Sequence, residues 1–89
     1  MNLAQIHNKA IEVLEREKKN ARDNQIVLFY GNWNEVKVIE SFWCVSTAGE
    51  SHVRVQISGA DNERWGHWLV ALIYEEIEDC PLVEIEWIN

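Results

Sequence analysis

The side chains able to do chemistry are few and scattered, with carboxylates the exception. Glu75, Glu76, Glu78, Asp79, Glu84 and Glu86 fall within twelve residues, and no Lys or Arg follows Arg64. Carboxylates at this density do one of two things: they keep a small protein in solution, or they present a negative face to a positive one. His7, His52 and His67, with Cys44 and Cys80, complete the set of potential ligands and nucleophiles. Glu63 and His67 stand one helical turn apart and could meet near Asp61, but two or three ligands without a closing fourth make a weak metal site. Metalloprotease, calcium-loop, phosphate-loop and dinucleotide patterns are absent from the sequence. Cys44 or Cys80 could pair with a histidine as a nucleophile, yet no sequence neighbour activates either thiol. The expectation is a protein that is not an enzyme and holds no metal or cofactor.

The 89 residues suit one domain. Apolar residues make up 47% of the chain and include five Trp, enough for a packed core and too many for a disordered segment. No apolar run is long enough to span a membrane, and no basic-then-apolar leader opens the chain. A cytoplasmic location is therefore expected, with both cysteines reduced. The net charge of −7 is unevenly spread. Residues 1–22 carry five basic and three acidic side chains, whereas residues 23–89 carry three basic and twelve acidic ones. Such a body repels phosphates, so direct binding to nucleic acid or to an anionic membrane is not expected, and a basic protein partner is favoured.

The elements that must position these groups follow from periodicity. Leu3, Ile6, Ala10, Val13, Leu14 and Ala21 share one helical stripe with Ile11 at its edge, and Glu12–Arg16 and Glu15–Lys19 are spaced for ion pairs on the solvated side. Residues 20–25 break that helix. Ile26 to Tyr30 reads as a buried strand, and Gly31 to Asn34 as a turn. Residues 35–46 form a second strand whose alternation slips near Glu40–Ser41, as a bulge would cause. After a turn at 47–51, Val53, Val55 and Ile57 alternate with polar residues in a half-buried strand over 52–58. Ser58-Gly59-Ala60-Asp61 opens a second helix, which runs to about Asp79 and stops before Cys80-Pro81. Residues 82–88 alternate again as a terminal strand. The predicted fold is α+β, in the order α-β-β-β-α-β, with an antiparallel three- to four-stranded sheet packed against two helices.

Trp43, Trp87 and either Trp65 or Trp68 are expected in the core. Trp33 stands in a polar turn, where it could anchor an interface. Glu76 lies inside the apolar stripe of the second helix, where helix packing alone calls for no acid. The first five elements resemble in order a double-stranded-RNA-binding domain. That fold grips RNA with lysines at the start of its second helix, where this chain reads Asp61-Asn62-Glu63-Arg64, so RNA binding is not expected.

The functional expectation is a small acidic protein-binding protein, acting as a stoichiometric inhibitor that occludes a basic, nucleic-acid-binding surface of its target. Its size, acidity and lack of catalytic groups resemble in general character the anti-CRISPR and nuclease immunity proteins carried by phages and mobile elements. The candidate partner-binding residues are Glu75, Glu76, Glu78, Asp79, Glu84 and Glu86, with Trp33 as anchor. The alternative is an assembly module, in which the broad stripe of the second helix and the edge of the terminal strand build a homodimer.

Overall fold

Asn2 and Gln5 start the first helix. The Gln5 N–H donates to Asn2 Oδ1 at 2.8 Å and the Asn2 N–H donates to Gln5 Oε1 at 2.9 Å. This reciprocal cap satisfies two backbone donors at the helix start. A computed structural model of the chain describes residues 2–23, 35–59 and 63–88. Helix α1 (Leu3–Asp23) follows the cap and buries Ile6, Ala10, Val13 and Leu14 to 1% exposure or less, as its stripe predicts. Burying the larger of these stabilises by about 1.5–3 kcal/mol apiece.

Strands β1 (Lys37–Val45) and β2 (Ser51–Ser58) pair antiparallel across a turn at 46–50. Gly49 takes φ 81° there, and its N–H donates to the Ser46 carbonyl at 2.9 Å. The pairing register shifts between Val38 and Glu40, leaving Ile39 as the extra residue just ahead of the predicted bulge. On β2, Val53, Val55 and Ile57 are fully buried, while His52, Arg54 and Gln56 line the opposite face.

Helix α2 (Glu63–Glu76) then crosses to β3 (Leu82–Ile88), which lies beside β2 and parallel to it. A helical crossover brings the chain back in its starting direction, so the sheet is mixed and not antiparallel as expected. Its strand order is β1-β2-β3. Among the described residues the fold is thus α+β in the order α-β-β-α-β, with two helices and three strands. The strand predicted at 26–30, the turn bearing Trp33 and the predicted cap at Asp61 lie outside the described residues.

Helix α1 lies over β1 and β2, α2 lies over β3, and the helices touch each other. Among the described residues the buried core is aliphatic, which corrects the expectation for Trp43 and Trp68; Trp87 packs against its edge, and the Trp65 side chain lies outside the described residues. Trp43 is 47% exposed and Trp68 39%, and Trp87 is only partly buried. The cause at Trp43 is a mismatch of rise. The His7 ring meets Ser41, so α1 has only four residues left before its start when β1 has four before its end. Four helical residues advance about 6 Å and four strand residues about 13 Å, so the helix starts at about the level of Trp43, leaving that ring at its end and Val45 beyond it.

Helix α2 ends three residues before the expected boundary. Asp79 takes a left-handed φ of 53° and the chain reverses through 77–79. Glu78 and Asp79 therefore stand in the turn and not on the helix. No helix among the described residues is long and apolar enough to cross a membrane.

Candidate functional site

The acidic block divides into carboxylates that the fold itself uses and carboxylates it leaves open. Glu76 belongs to the first group. Arg16 Nη1 and Nη2 donate to its two carboxylate oxygens at 2.9 and 2.7 Å, and Lys9 Nζ stands 3.9 Å away. The fork geometry fixes the approach of α1 to α2. Hydrogen bonding to Arg16 holds the Glu76 carboxyl below the usual carboxylate range, and the same bond raises the guanidinium. An acid inside the apolar stripe is thus accounted for by a cation on the facing helix, sixty residues earlier in the chain. Arg16 and Lys9 take up this role in place of the predicted solvated pairs; Lys9 also meets Glu12 at 3.3 Å, and Lys18 meets Glu15 at 3.2 Å.

Glu84 and Glu86 are shared between two duties. The parallel register sets Arg54 beside Glu84 and Gln56 beside Glu86 on the sheet face away from the helices. Arg54 Nη2 reaches Glu84 Oε2 at 3.5 Å, Arg54 Nε stands 3.7 Å from Glu86 Oε2, and Gln56 Nε2 donates to Glu86 at 3.5 Å. These are long contacts, and the Glu84 and Glu86 side chains stay 53% and 41% exposed. His52 Nε2 is 3.1 Å from Glu84 Oε2 but forms no aligned hydrogen bond with it. The Arg54 Nε, too distant from Glu86 for a hydrogen bond, is likewise buried without a partner atom.

Glu75, Glu78 and Asp79 form the open group. All three are exposed, and none makes an ion pair with a described residue. They stand where α2 ends, and the peptide dipoles already place partial negative charge at that end. No basic residue occupies the last turn of α2.

The other candidate chemistry is dispersed. His7 Nδ1 hydrogen bonds with Ser41 Oγ at 2.6 Å and ties α1 to β1. His67 is exposed on α2, and the Glu63 side chain predicted to meet it lies outside the described residues. Cys44 sits directly across from His52, but among the described residues no hydrogen bond joins thiol to ring. Both cysteines are free, and burial pushes the Cys80 thiol up. No cluster of three or more His, Cys, Asp or Glu among the described residues is arranged to hold a metal ion.

Sequence reasoning missed a groove of about 680 Å³ between the outer flank of α2 and β3. Gly66, Val70, Ala71 and Tyr74 form its roof, and Val83, Ile85 and Trp87 its floor, with His67 and Glu84 at the rim. The signal was the width of the α2 apolar stripe, which exceeds what one core face needs. Gly66 has a role here: a Cβ on it would come within 3.3 Å of the Trp87 ring, so glycine lets the helix settle on that indole. No family model, curated protein or solved structure matches this chain.

Proposed function

We propose that this chain is a protein-binding protein that docks, through the end of α2 and the adjoining β3, on a basic surface of a partner. In that role it would act as an inhibitor if the covered surface is one that holds nucleic acid. The single observation carrying the reading is the selective pairing of the acidic block. Arg16, Lys9 and Arg54 engage Glu76, Glu84 and Glu86, while Glu75, Glu78 and Asp79, at the end of α2 and in the turn after it, have no cation partner among the described residues. A free carboxylate row costs the fold repulsion and is relieved by an external Lys or Arg. The homodimer reading is weakened by the same charges, because a second copy would bring another acidic row against the first.

The test is affinity capture of partners from host lysate by the wild type and by a Glu75→Gln, Glu78→Gln, Asp79→Asn triple variant, eluted with rising salt. A basic protein recovered in stoichiometric amount by the wild type and lost from the variant is the expected result. Equal recovery by both proteins would overturn the assignment of these three residues.

A further inference from the structure

We propose that the groove between α2 and β3 receives an extended, basic segment of a partner protein, paired to β3 as a fourth strand; this rests on the protein-binding reading above and names how the partner is held.

The helical layer is wider than the sheet beneath it at this side. Strands lie about 4.8 Å apart and packed helices about 8–10 Å apart, so two helices cover roughly four strands. Here three described strands lie beneath them, β3 is the edge, and β3 pairs with β2 alone among the described residues. Among the described residues, no strand lies beneath Val70 and Ala71, which line the groove beside β3. The backbone of β3 points the same way. The Val83 N–H donates to the Tyr74 hydroxyl at 2.9 Å, so this group faces outward and not toward β2. Residues two apart on a strand send their backbone groups to the same side, which directs the N–H and C=O of Ile85 into the groove as well. A row of such groups on an edge is a template for an added strand, and alternate side chains of that strand would drop under the helix.

Charge selects the occupant. The side chains on the open sheet face of β3 are Glu84 and Glu86, both more than one-third exposed, and Glu75, Glu78 and Asp79 border the Tyr74 end. An added strand carrying Lys or Arg at the positions opposite Glu84 and Glu86 forms favourable cross-strand pairs. A second copy of this chain would place Glu84 and Glu86 beside their own counterparts, which is unfavourable. The recognised segment is therefore one that alternates apolar side chains, aimed into the groove, with basic ones aimed at the acids.

The experiment uses a panel of capped peptides alternating Lys or Arg with Val, Leu or Phe, and matched peptides with Glu replacing the basic residue. Binding is followed by amide hydrogen exchange at Ile85. The basic peptides should slow exchange there, and the acidic ones should not bind. Ala71→Phe, which fills the groove from an exposed helical position, should weaken binding at least tenfold while retaining the circular dichroism of the wild type. Ile85→Pro removes the outward N–H, a change an edge strand tolerates, and should do the same. Equal binding of a basic peptide by the wild type and Ala71→Phe would overturn strand addition and leave the acidic-surface reading standing. Absence of binding by every peptide, or protection of Ile85 that appears with protein concentration alone, would overturn it too. Retained capture of the partner protein by Ala71→Phe, with loss by the triple acidic variant, separates failure of this inference from failure of the function proposed above.

Discussion

At the scale of single residues, Glu76 shows how a surface that looks functional can be partly structural. Its carboxylate is held between Arg16 and Lys9, so its loss would loosen two helices and not merely subtract a charge. The folded carboxyl titrates below its ordinary value of about 4.5. The pair's stabilisation is therefore fully present above that value and is lost as pH falls through the lowered folded one. Glu76→Gln should melt below the wild type at neutral pH, and the gap should close on acidification through that window. Added salt should narrow the gap as well, because the Arg16 and Glu76 side chains remain 46% and 28% exposed. Thermal unfolding across pH at two salt concentrations reads both effects, and a gap unchanged by either would mean that the ion pair does not stabilise the helix contact. A binding assay on this variant alone would be misleading, since docking and packing would fail together. Glu75, Glu78 and Asp79 are the residues at which the two can be told apart.

At the scale of elements, the turns set what the strands and helices can do. Gly49 and Gly59 both occupy left-handed backbone, at φ 81° and 95°, yet their surroundings differ. A Cβ at Gly49 meets nothing within 4 Å, whereas one at Gly59 would come within 2.5 Å of the Glu35 carbonyl oxygen. Gly49→Ala should cost about 1 kcal/mol for backbone strain alone, and Gly59→Ala about 2 kcal/mol or more, because the chain must also move away from Glu35. Chemical denaturation measures both; equal losses would show that the approach to Glu35 relaxes freely. Elements with a clean period were legible in advance: the α1 stripe, the alternation of β2, the hairpin turn and the terminal strand. What was not legible depends on pairing across the fold. Nothing local in Leu82 to Ile88 says whether that strand runs with or against β2, because its direction follows from the path of α2. The exposure of Trp43 depends on where α1 begins relative to the end of β1, which no window of sequence contains. Glu76 could be seen as anomalous within its helix, but its partner Arg16 lies on another element. The acids were visible as a cluster, and only the approach of Arg16 to Glu76 and the register of Arg54 with Glu84 separated the paired from the unpaired ones.

At the scale of the whole molecule, the net charge of −7 bears on what the β3 edge could accept. An edge strand under an overhanging helix invites pairing, and natural sheets guard such edges with charge. On the strand-addition reading proposed above, Glu84 and Glu86 would guard β3 against a copy of itself while leaving it open to a strand of opposite charge. Net repulsion between copies falls as the net charge approaches zero, so self-association should appear as pH is lowered toward the isoelectric point of about 4.8. Neutralisation near that point promotes association of any protein, so the route must be identified by a variant. Ile85→Pro denies the edge its outward N–H and changes no charge. Light scattering should give a concentration-independent monomer mass for both proteins at neutral pH and low salt, and a rising mass near the isoelectric point for the wild type only. If Ile85→Pro associates as readily as the wild type, the contact runs elsewhere, with the exposed Trp43, Val45 and Leu82 at one end of the sheet as the next surface to mutate. If it does not, the acids on β3 act at long range by excluding the wrong strand and at short range by pairing with the right one.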